Sequence, residues 1–525
     1  MWAWIAIAAL IILAALLVAA AVTIHRAGPI LKARITETLS ARFNSRVELD
    51  NLSVSVFRGL EVSGNRLRLY PRDNAAAAGA RLPLIAIDRF SFHSGLTGLF
   101  VEPIHIGLLQ VDGLQIDIPP PEMRRQASEK PKRNSERSPI LVDAIVCHNS
   151  RLIIGTAKPD KDATDFELKR IELRNVGGNA PWQYDATITN VVPRGEVHAA
   201  GTFGPWQTRS PGDSSVTGHY TFDYADLNTI KGLGGILSSV GDFKGQLDKI
   251  VIDGTTKTRD FSLDVGSHPM PLRTRFHAIV DGISGDTYLE SVNANLRNSS
   301  LETSGTVINI KGRGHTIDLD VAVLQGQVQD FLDLAVKTDR AFMTGAITTR
   351  TKLHIRPGKE SVAQRMRLQG AFTLSSIRFT NPQLQDKIDM LSLRAQGEPK
   401  KARPGAQDVD SQMTGAFSLN EGLVQFSNLA YVLPGARVNL KGMYCLDGHQ
   451  LAFNGKVFTD ASLSRMVDSP WLSVLLKAAS PFLKKTGKGA EIPVKITGDK
   501  SAPKFAFDVF GGHSKEAGDS GNRQR

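Results

Sequence analysis

Alternation of apolar and polar residues is the main pattern of this chain. Apolar side chains recur at every second position in many short segments, which places them on one face of a β-strand and their polar neighbours on the other. Four clear examples are Leu114–Ile118, Ile317–Val323, Ile492–Ile496 and Phe505–Val509. This pattern predicts antiparallel strands with one apolar and one water-facing side.

Turn residues divide the strands. Asn420-Glu421-Gly422, Pro434-Gly435 and Asp447-Gly448 separate alternating segments, so residues 413–458 are expected to form a meander of about five strands. Three interruptions predict helices: one or two short helices within 223–240, one helix carrying Val328, Phe331, Leu332 and Ala335, and amphipathic helices within 461–485.

The N-terminal segment is long and apolar. No charged residue occurs from Trp2 to Ile24, which is enough to cross a bilayer as a helix. The predicted anchor includes Trp2, Trp4, Leu10, Leu16 and Val22. A cleaved signal peptide is the alternative. Positive charges follow the segment at Arg26, Lys32 and Arg34, so the positive-inside rule alone predicts a cytoplasmic body.

These signals give a domain plan. The predicted parts are a transmembrane anchor (1–26), an N-terminal helix with the first strands (27–120), a flexible charged loop (121–138), a central β region with short helices (139–397), a second loop (398–410), a C-terminal β region containing the 461–485 helices (411–510) and a disordered tail (511–525).

The fold class expected is mainly β with a few helices, in which the N-terminal transmembrane helix precedes a long antiparallel sheet. Such a sheet must bury its apolar face. A closed sandwich or barrel does so with side chains, whereas an open curved groove does so with a bound apolar ligand. Periodicity favours neither.

Charge and candidate chemistry narrow the function classes. The net charge is +11 and the pI about 9.5, but the basic residues are scattered, which argues against nucleic acid as a partner. Cys147 and Cys445 lack the spacing of a metal site, and whether they pair is open. Asp318 and Asp320 are expected on the outer face of a strand. No catalytic motif, metal site or cofactor site is recognisable, so an enzyme is the least supported class.

Several segments resemble the AsmA-like family. They are ARFNSRVELDNLSVSVFRGLEVSGNRLRLY (41–70), GTFGPW (201–206), LDLAVKTDRAFMTGAI (332–347) and GAFSLNEGLVQFSNLAYVLPGARVNLKG (415–442). Their order is more specific than any one of them. The resemblance, which extends to the bridge-like lipid-transfer proteins, implies a single-pass bacterial inner-membrane protein whose body lies in the periplasm. It also implies that the long antiparallel sheet is curved into an apolar-lined β-groove, with residues 139–397 as its central part, which carries phospholipid toward the outer membrane.

The resemblance also suggests partners and a site. Phospholipids, the inner membrane and outer-membrane or other envelope proteins are the expected partners. The alternative function, suggested by the relative TamB, is a non-conducting scaffold for outer-membrane protein assembly. Packing of a core is the competing role for each groove-lining candidate. The candidates are Ile317, Leu319, Val321, Val323, Phe372, Leu374, Phe426, Phe453, Phe505 and Phe507.

Overall fold

Strands dominate the computed structural model of the chain. It describes residues 45–55, 60–71, 83–94, 104–118, 140–156, 158–177, 180–205, 211–266, 268–405, 409–446, 450–462, 465–467, 489–498 and 503–507, and parts of 32–40. The predicted anchor (1–26), the 121–138 loop and the 511–525 tail lie outside these residues. Most of the predicted 461–485 helical region does too.

The strands follow one another along the chain. They are β1 (Ser45–Ser55), β2 (Leu60–Pro71), β3 (Ile85–Ser94), β4 (Ile104–Ile118), β5 (Ile140–Ile154), β6 (Thr164–Val176), β7 (Trp182–Asn190), β8 (Arg194–Phe203), β9 (Ser215–Asp226), β10 (Leu233–Gly234), β11 (Ile236–Gln246), β12 (Lys249–Leu263), β13 (Met270–Val280), β14 (Thr287–Leu296), β15 (Ser299–Ile310), β16 (Gly314–Gln327), β17 (Met343–Ile355), β18 (Met366–Phe379), β19 (Gln412–Asn420), β20 (Leu423–Leu433), β21 (Ala436–Cys445), β22 (Leu451–Thr459), β23 (Ala490–Gly498) and β24 (Pro503–Phe507).

Each strand pairs with the next, apart from the short β10, which pairs with β12 while β9 pairs with β11. The result is one long sheet that curls into a half-barrel. The expectation of a long curved sheet, mainly β with few helices, is confirmed. These strands form one sheet and not two stacked sheets, so they do not build the sandwich that was the alternative.

One pair departs from the predicted antiparallel arrangement. β4 and β5 are parallel, with Ile104 opposite Ile140 and Ile118 opposite Ile154. Parallel neighbours need a connection that returns along the full strand length, typically of a dozen residues or more. Residues 119–139 join the two strands and are long enough for that return. Their charge and prolines predicted a loop, but not the change of direction.

Three α-helices occur among the residues described after β1. They are Val328–Ala335, Val362–Arg365 and Pro382–Ala395. The first confirms the helix predicted around Phe331. The last was not predicted, although Asn381 accepts hydrogen bonds from the backbone N–H groups of Gln383 and Leu384, and Pro382 follows at the first helical position.

The prediction of helices within 223–240 is wrong. β9 continues to Asp226, a single 3-10 turn occupies Leu227–Thr229, and Ile236 already begins β11. Gly232 and Gly235 have φ values of 96° and 115°, which a right-handed helix does not accommodate. The predicted 398–410 loop contains another 3-10 turn, Pro399–Lys401.

Candidate functional site

A continuous row of uncharged residues crosses the sheet from β1 to β23, omitting only β10. Each member lies directly opposite the next in the strand register, so all share one face. In chain order the row is Leu52, Gly64, Phe90, Val111, Cys147, Ile171, Ala186, Ala199, Tyr220, Gly241, Gly254, Phe276, Val292, Thr303, Val321, Thr351, Gly370, Phe417, Phe426, Gly442, Phe453 and Ile496. At about 4.8 Å per strand the row is on the order of 100 Å long. It is called the central row below, and its face the inner face.

Eight of the ten candidate lining residues lie on this face. Ile317, Leu319, Val321 and Val323 alternate along β16, and the registers of β17 to β23 place Phe372, Leu374, Phe426 and Phe453 on the same side. The backbone positions of Phe505 and Phe507 are opposite Ile496 and Val494. The sequence therefore identified one face of the sheet.

Two of the candidates are covered by the chain itself. Val323 is 2% exposed and Leu374 4% exposed, and Leu374 packs with Val328 of the Val328–Ala335 helix. These two are core positions beside the groove. Phe372, Phe426 and Phe453 are half-buried and remain accessible.

Glycines on the central row make room for aromatic rings on the neighbouring strand. A Cβ on Gly64 would lie 2.4 Å from Phe90 Cζ, and a Cβ on Gly254 would lie 2.6 Å from Phe276 Cζ. Each ring therefore occupies the space above a glycine, an arrangement that pins the register of paired strands. Because the glycine has no side chain, the large ring can lie close to the backbone of the neighbouring strand.

Aromatic residues are concentrated toward the C-terminal strands. Ring centroids are 6.0 Å apart for Phe372 and Phe417, 6.2 Å for Phe372 and Phe426, and 5.8 Å for Phe426 and Phe453. These separations are those of stabilising tilted and edge-to-face pairs. The four rings form a contiguous apolar surface over β18 to β22.

The N-terminal end of the inner face is filled by the chain's own side chains. Leu49, Val62, Phe90, Val111 and Cys147 form a buried cluster. The helical residues within 32–40 contribute Ile35 and Leu39, which pack against this cluster. The first strands are thus closed off by core packing, whereas most positions beyond β6 are only half-buried.

Neither cysteine is paired. Cys147 is buried in that cluster and Cys445, at the end of β21, is half-buried; both are free thiols. Burial raises the pKa of the Cys147 thiol to about 11. A thiol of such high pKa in an apolar core is a packing residue and not a nucleophile at neutral pH.

The outer face carries cross-strand pairs of histidine and acid. His354 Nδ1 lies 2.6 Å from Asp318 Oδ1, and His277 Nδ1 lies 2.7 Å from Asp253 Oδ1. Hydrogen bonding to Asp253 and the nearby carboxylates raise the pKa of His277. Asp318 and Asp320 are exposed, as the alternation predicted, so they are solvated surface groups.

A shallow depression of about 770 Å³ lies on this outer face over β14 to β18. Glu302, Asp320, Arg350 and Lys352 line it. Lys352 Nζ is 3.8 Å from Asp320 Oδ1, and both side chains are more than two-thirds exposed. Opposite charges in open solvent attract weakly, so the depression has the character of ordinary polar surface.

Metal-site clusters and membrane-spanning helices are absent from the described part of the chain. No cluster of three or more His, Cys, Asp or Glu residues there has the arrangement of a metal site. No helix there combines the length and the apolar character required to cross a bilayer. The predicted anchor residues Trp2, Trp4, Leu10, Leu16 and Val22 all lie outside that part. The half-buried inner face is the candidate site among the described residues. Comparison with protein-family models, with curated proteins and with solved structures gives no match.

Proposed function

We propose that this chain is a membrane-anchored envelope protein of the AsmA-like type that binds phospholipid acyl chains on the inner face and conducts them along the central row beyond its filled first strands. The observation that carries the proposal is the row itself, which continues past that filled end, from β7 to β23, without a charged residue. A path for an apolar ligand requires such continuity, whereas a local hydrophobic core does not.

The physical reason is the cost of exposing acyl chains. Each CH₂ group exposed to water costs about 0.8 kcal/mol, so a chain of roughly 16 carbons costs about 13 kcal/mol. A charged residue on the row would interrupt the apolar surface that covers the acyl chain. It would also add the free-energy cost of removing water from the charge. Along an uncharged row, the free energy of the bound acyl chain changes little from one strand to the next.

Phospholipid capture tests this proposal directly. A photo-crosslinking amino acid at Phe426 in the full chain is expected to capture phospholipid in cells, and the purified chain is expected to carry co-purified phospholipid. The matched control is Gln425, the preceding residue, which is exposed on the outer face. Lipid captured at neither position, or equally at both, would remove the basis for the proposal.

The second candidate function is a non-conducting scaffold for outer-membrane protein assembly. The accessible inner face favours lipid over this alternative, because a scaffold needs only a polar outer surface and a filled core. A chain that captures no lipid but crosslinks to outer-membrane protein precursors would support the scaffold.

Localisation forms part of the same proposal. The anchor is placed in the bacterial inner membrane with the body in the periplasm, although Arg26, Lys32 and Arg34 by themselves predict the reverse. Protease added to spheroplasts is expected to digest the body while intact cells protect it. Protection in both preparations would place the body in the cytoplasm.

A further inference from the structure

The strand ends on the two opposite sides of the curled sheet meet at two places. We call rim A the side on which β5 ends and β6 begins. Rim B is the opposite side, on which β13 ends and β14 begins. Antiparallel neighbours place their connections alternately on the two rims. Residues 155–163 and 227–235 therefore lie on rim A, and residues 281–286, 311–313 and 356–365 on rim B.

The first meeting point is a buried ion pair. Lys161 on rim A donates from Nζ to Asp286 Oδ1 at 2.7 Å and to the Asn309 carbonyl at 2.6 Å. Both charged side chains are only 4% exposed. Thr164 Oγ1 also donates to the Ile283 carbonyl at 2.7 Å, and the Gly312 N–H donates to Asp162 Oδ2 at 2.6 Å.

The second meeting point lies further along the sheet. The Val362 N–H on rim B donates to the Lys231 carbonyl on rim A at 3.0 Å. Ser361, Val362 and Ala363 are buried there. A Cβ on Gly232 would lie 2.7 Å from the Val362 nitrogen, so the two rims are in close backbone contact.

Accumulated twist explains why opposite rims meet. Six strand-to-strand steps separate β6 from β13, and six separate β11 from β17. At roughly 20–25° a step the sheet rotates by about 120–150°, which turns rim A of one strand toward rim B of the other. The contacts form a seam across the mouth of the groove between β5 and β18.

The inner face behind this seam differs chemically from the rest. Tyr220, Thr303 and Thr351 are the hydroxyl-bearing residues of the central row, and all three lie between β9 and β17. The described row positions of β1 to β8 and β18 to β23 carry apolar side chains or glycine.

A cluster of hydroxyls flanks the row at the same place. Tyr220 Oη lies 2.9 Å from Ser239 Oγ. Ser239 is directly opposite Thr256, and Thr256 Oγ1 lies 2.7 Å from Thr274 Oγ1. The four residues occupy adjacent strands β9, β11, β12 and β13. We call them the hydroxyl cluster.

An unsatisfied hydroxyl lies on the central row two strands beyond. Thr303 Oγ1 is buried and has no hydrogen-bond partner among the described residues. A buried hydroxyl without a partner is costly, and native proteins generally supply one. A ligand with polar oxygen atoms would provide that partner, whereas an acyl chain would not.

We infer that the seamed stretch of the groove encloses an entire phospholipid, with its ester and phosphate oxygens bound at the hydroxyl cluster. This rests on the proposed function and adds a headgroup site to it. Neutral hydroxyls can donate to phosphate and ester oxygens without placing a charge on the path, so the lipid is held and can still move on. Behind the seam, the headgroup remains inside the groove and meets hydroxyls in place of bulk water.

Binding of two probes with the same acyl chains tests the inference. The full chain is titrated with a fluorescent diacyl phospholipid and with the matching diacylglycerol, which lacks the phosphate. The wild type is expected to prefer the phospholipid. The variant Ser239→Ala/Thr256→Val/Thr274→Val is expected to lose about tenfold of that preference, which corresponds to about 1.4 kcal/mol. Its affinity for diacylglycerol, which keeps the ester oxygens but lacks the phosphate, is expected to fall less.

The matched control is Ser238→Ala/Thr221→Val/Thr255→Val, which removes three hydroxyls from the outer face of the same region. It is expected to keep the wild-type preference. Tyr220→Phe, which deletes one oxygen without changing shape, is a second test if the triple variant does not fold. It should reduce the preference in the same direction.

The outcomes separate the two proposals. A hydroxyl-cluster variant that keeps the full preference, or a wild type that binds both probes equally, overturns the headgroup site and leaves acyl binding intact. A wild type that binds neither probe overturns the proposed function and this inference with it.

Discussion

A carboxylate on the central row should block lipid movement. Val321 is half-buried on β16, opposite Thr303 on one side and Thr351 on the other. Val321→Asp places a negative charge where an acyl chain would pass. The chain must either strip water from the carboxylate or leave part of itself uncovered.

The magnitude follows from desolvation. Removing water from an ion inside a protein costs several kcal/mol even after relaxation. Taking about 3 kcal/mol as the added barrier, the rate should fall on the order of 100-fold, since 1.36 kcal/mol corresponds to a factor of ten. The loss of folding stability should be modest, about 1–2 kcal/mol, because Val321 is only partly buried.

Transfer between vesicles measures the effect. The full chain is reconstituted in donor vesicles that contain a self-quenched phospholipid, and dequenching in acceptor vesicles reports transfer. The control is Ala322→Asp, which adds the same charge one residue away on the outer face, opposite Arg350. It should transfer at the wild-type rate. If a folded Val321→Asp chain also transferred at that rate, lipid would not follow the central row.

Three further predictions concern the fold. Lys161→Met should destabilise the chain by up to about 3–5 kcal/mol because it leaves the buried Asp286 with only Lys158 Nζ, 3.9 Å away, as a cationic partner, and adding Asp286→Leu should restore part of the loss in denaturant unfolding; a loss below 1 kcal/mol would mean that the seam contributes little. The raised pKa of His277 means that its charged form stabilises the fold fully below about pH 6.5, and this contribution disappears as the pH rises through the raised value. The stability difference between wild type and His277→Gln should therefore shrink above pH 6.5, and a pH-independent difference would contradict the assignment. Cys147, with its pKa raised to about 11, should resist a thiol reagent at pH 8 until the chain is unfolded, so rapid labelling of native Cys147, measured in Cys445→Ser, would refute its burial.

Residue patterns within short segments were sufficient to predict much of the fold. The two-residue alternation in segments such as Ile317–Val323 identified strands and their inner face, because side-chain direction in a strand depends only on position parity. The helix around Phe331 was also predictable. The Pro382–Ala395 helix was missed even though Asn381-Pro382 is a good local start signal, because its surroundings read as strands.

Strand pairing overrode other predictions that had been made from short segments of the sequence. The glycine-rich segment after Asp223 suggested short helices, yet Ile236–Gln246 is held as a strand by β9 on one side and β12 on the other. The parallel pairing of β4 with β5 is likewise a property of the assembled sheet that the residues of neither strand specify alone.

The sequence by itself determined that this protein has strands with one apolar face, and which residues lie on it. Only the tertiary structure decided that these faces join into a single uncharged row, that Ile35 and Leu39 pack against its first part, and that Lys161 meets Asp286 across its mouth. The reason is that register and twist are collective. Each pairing shifts or rotates the next by a small amount, and no short segment encodes the sum over the sheet.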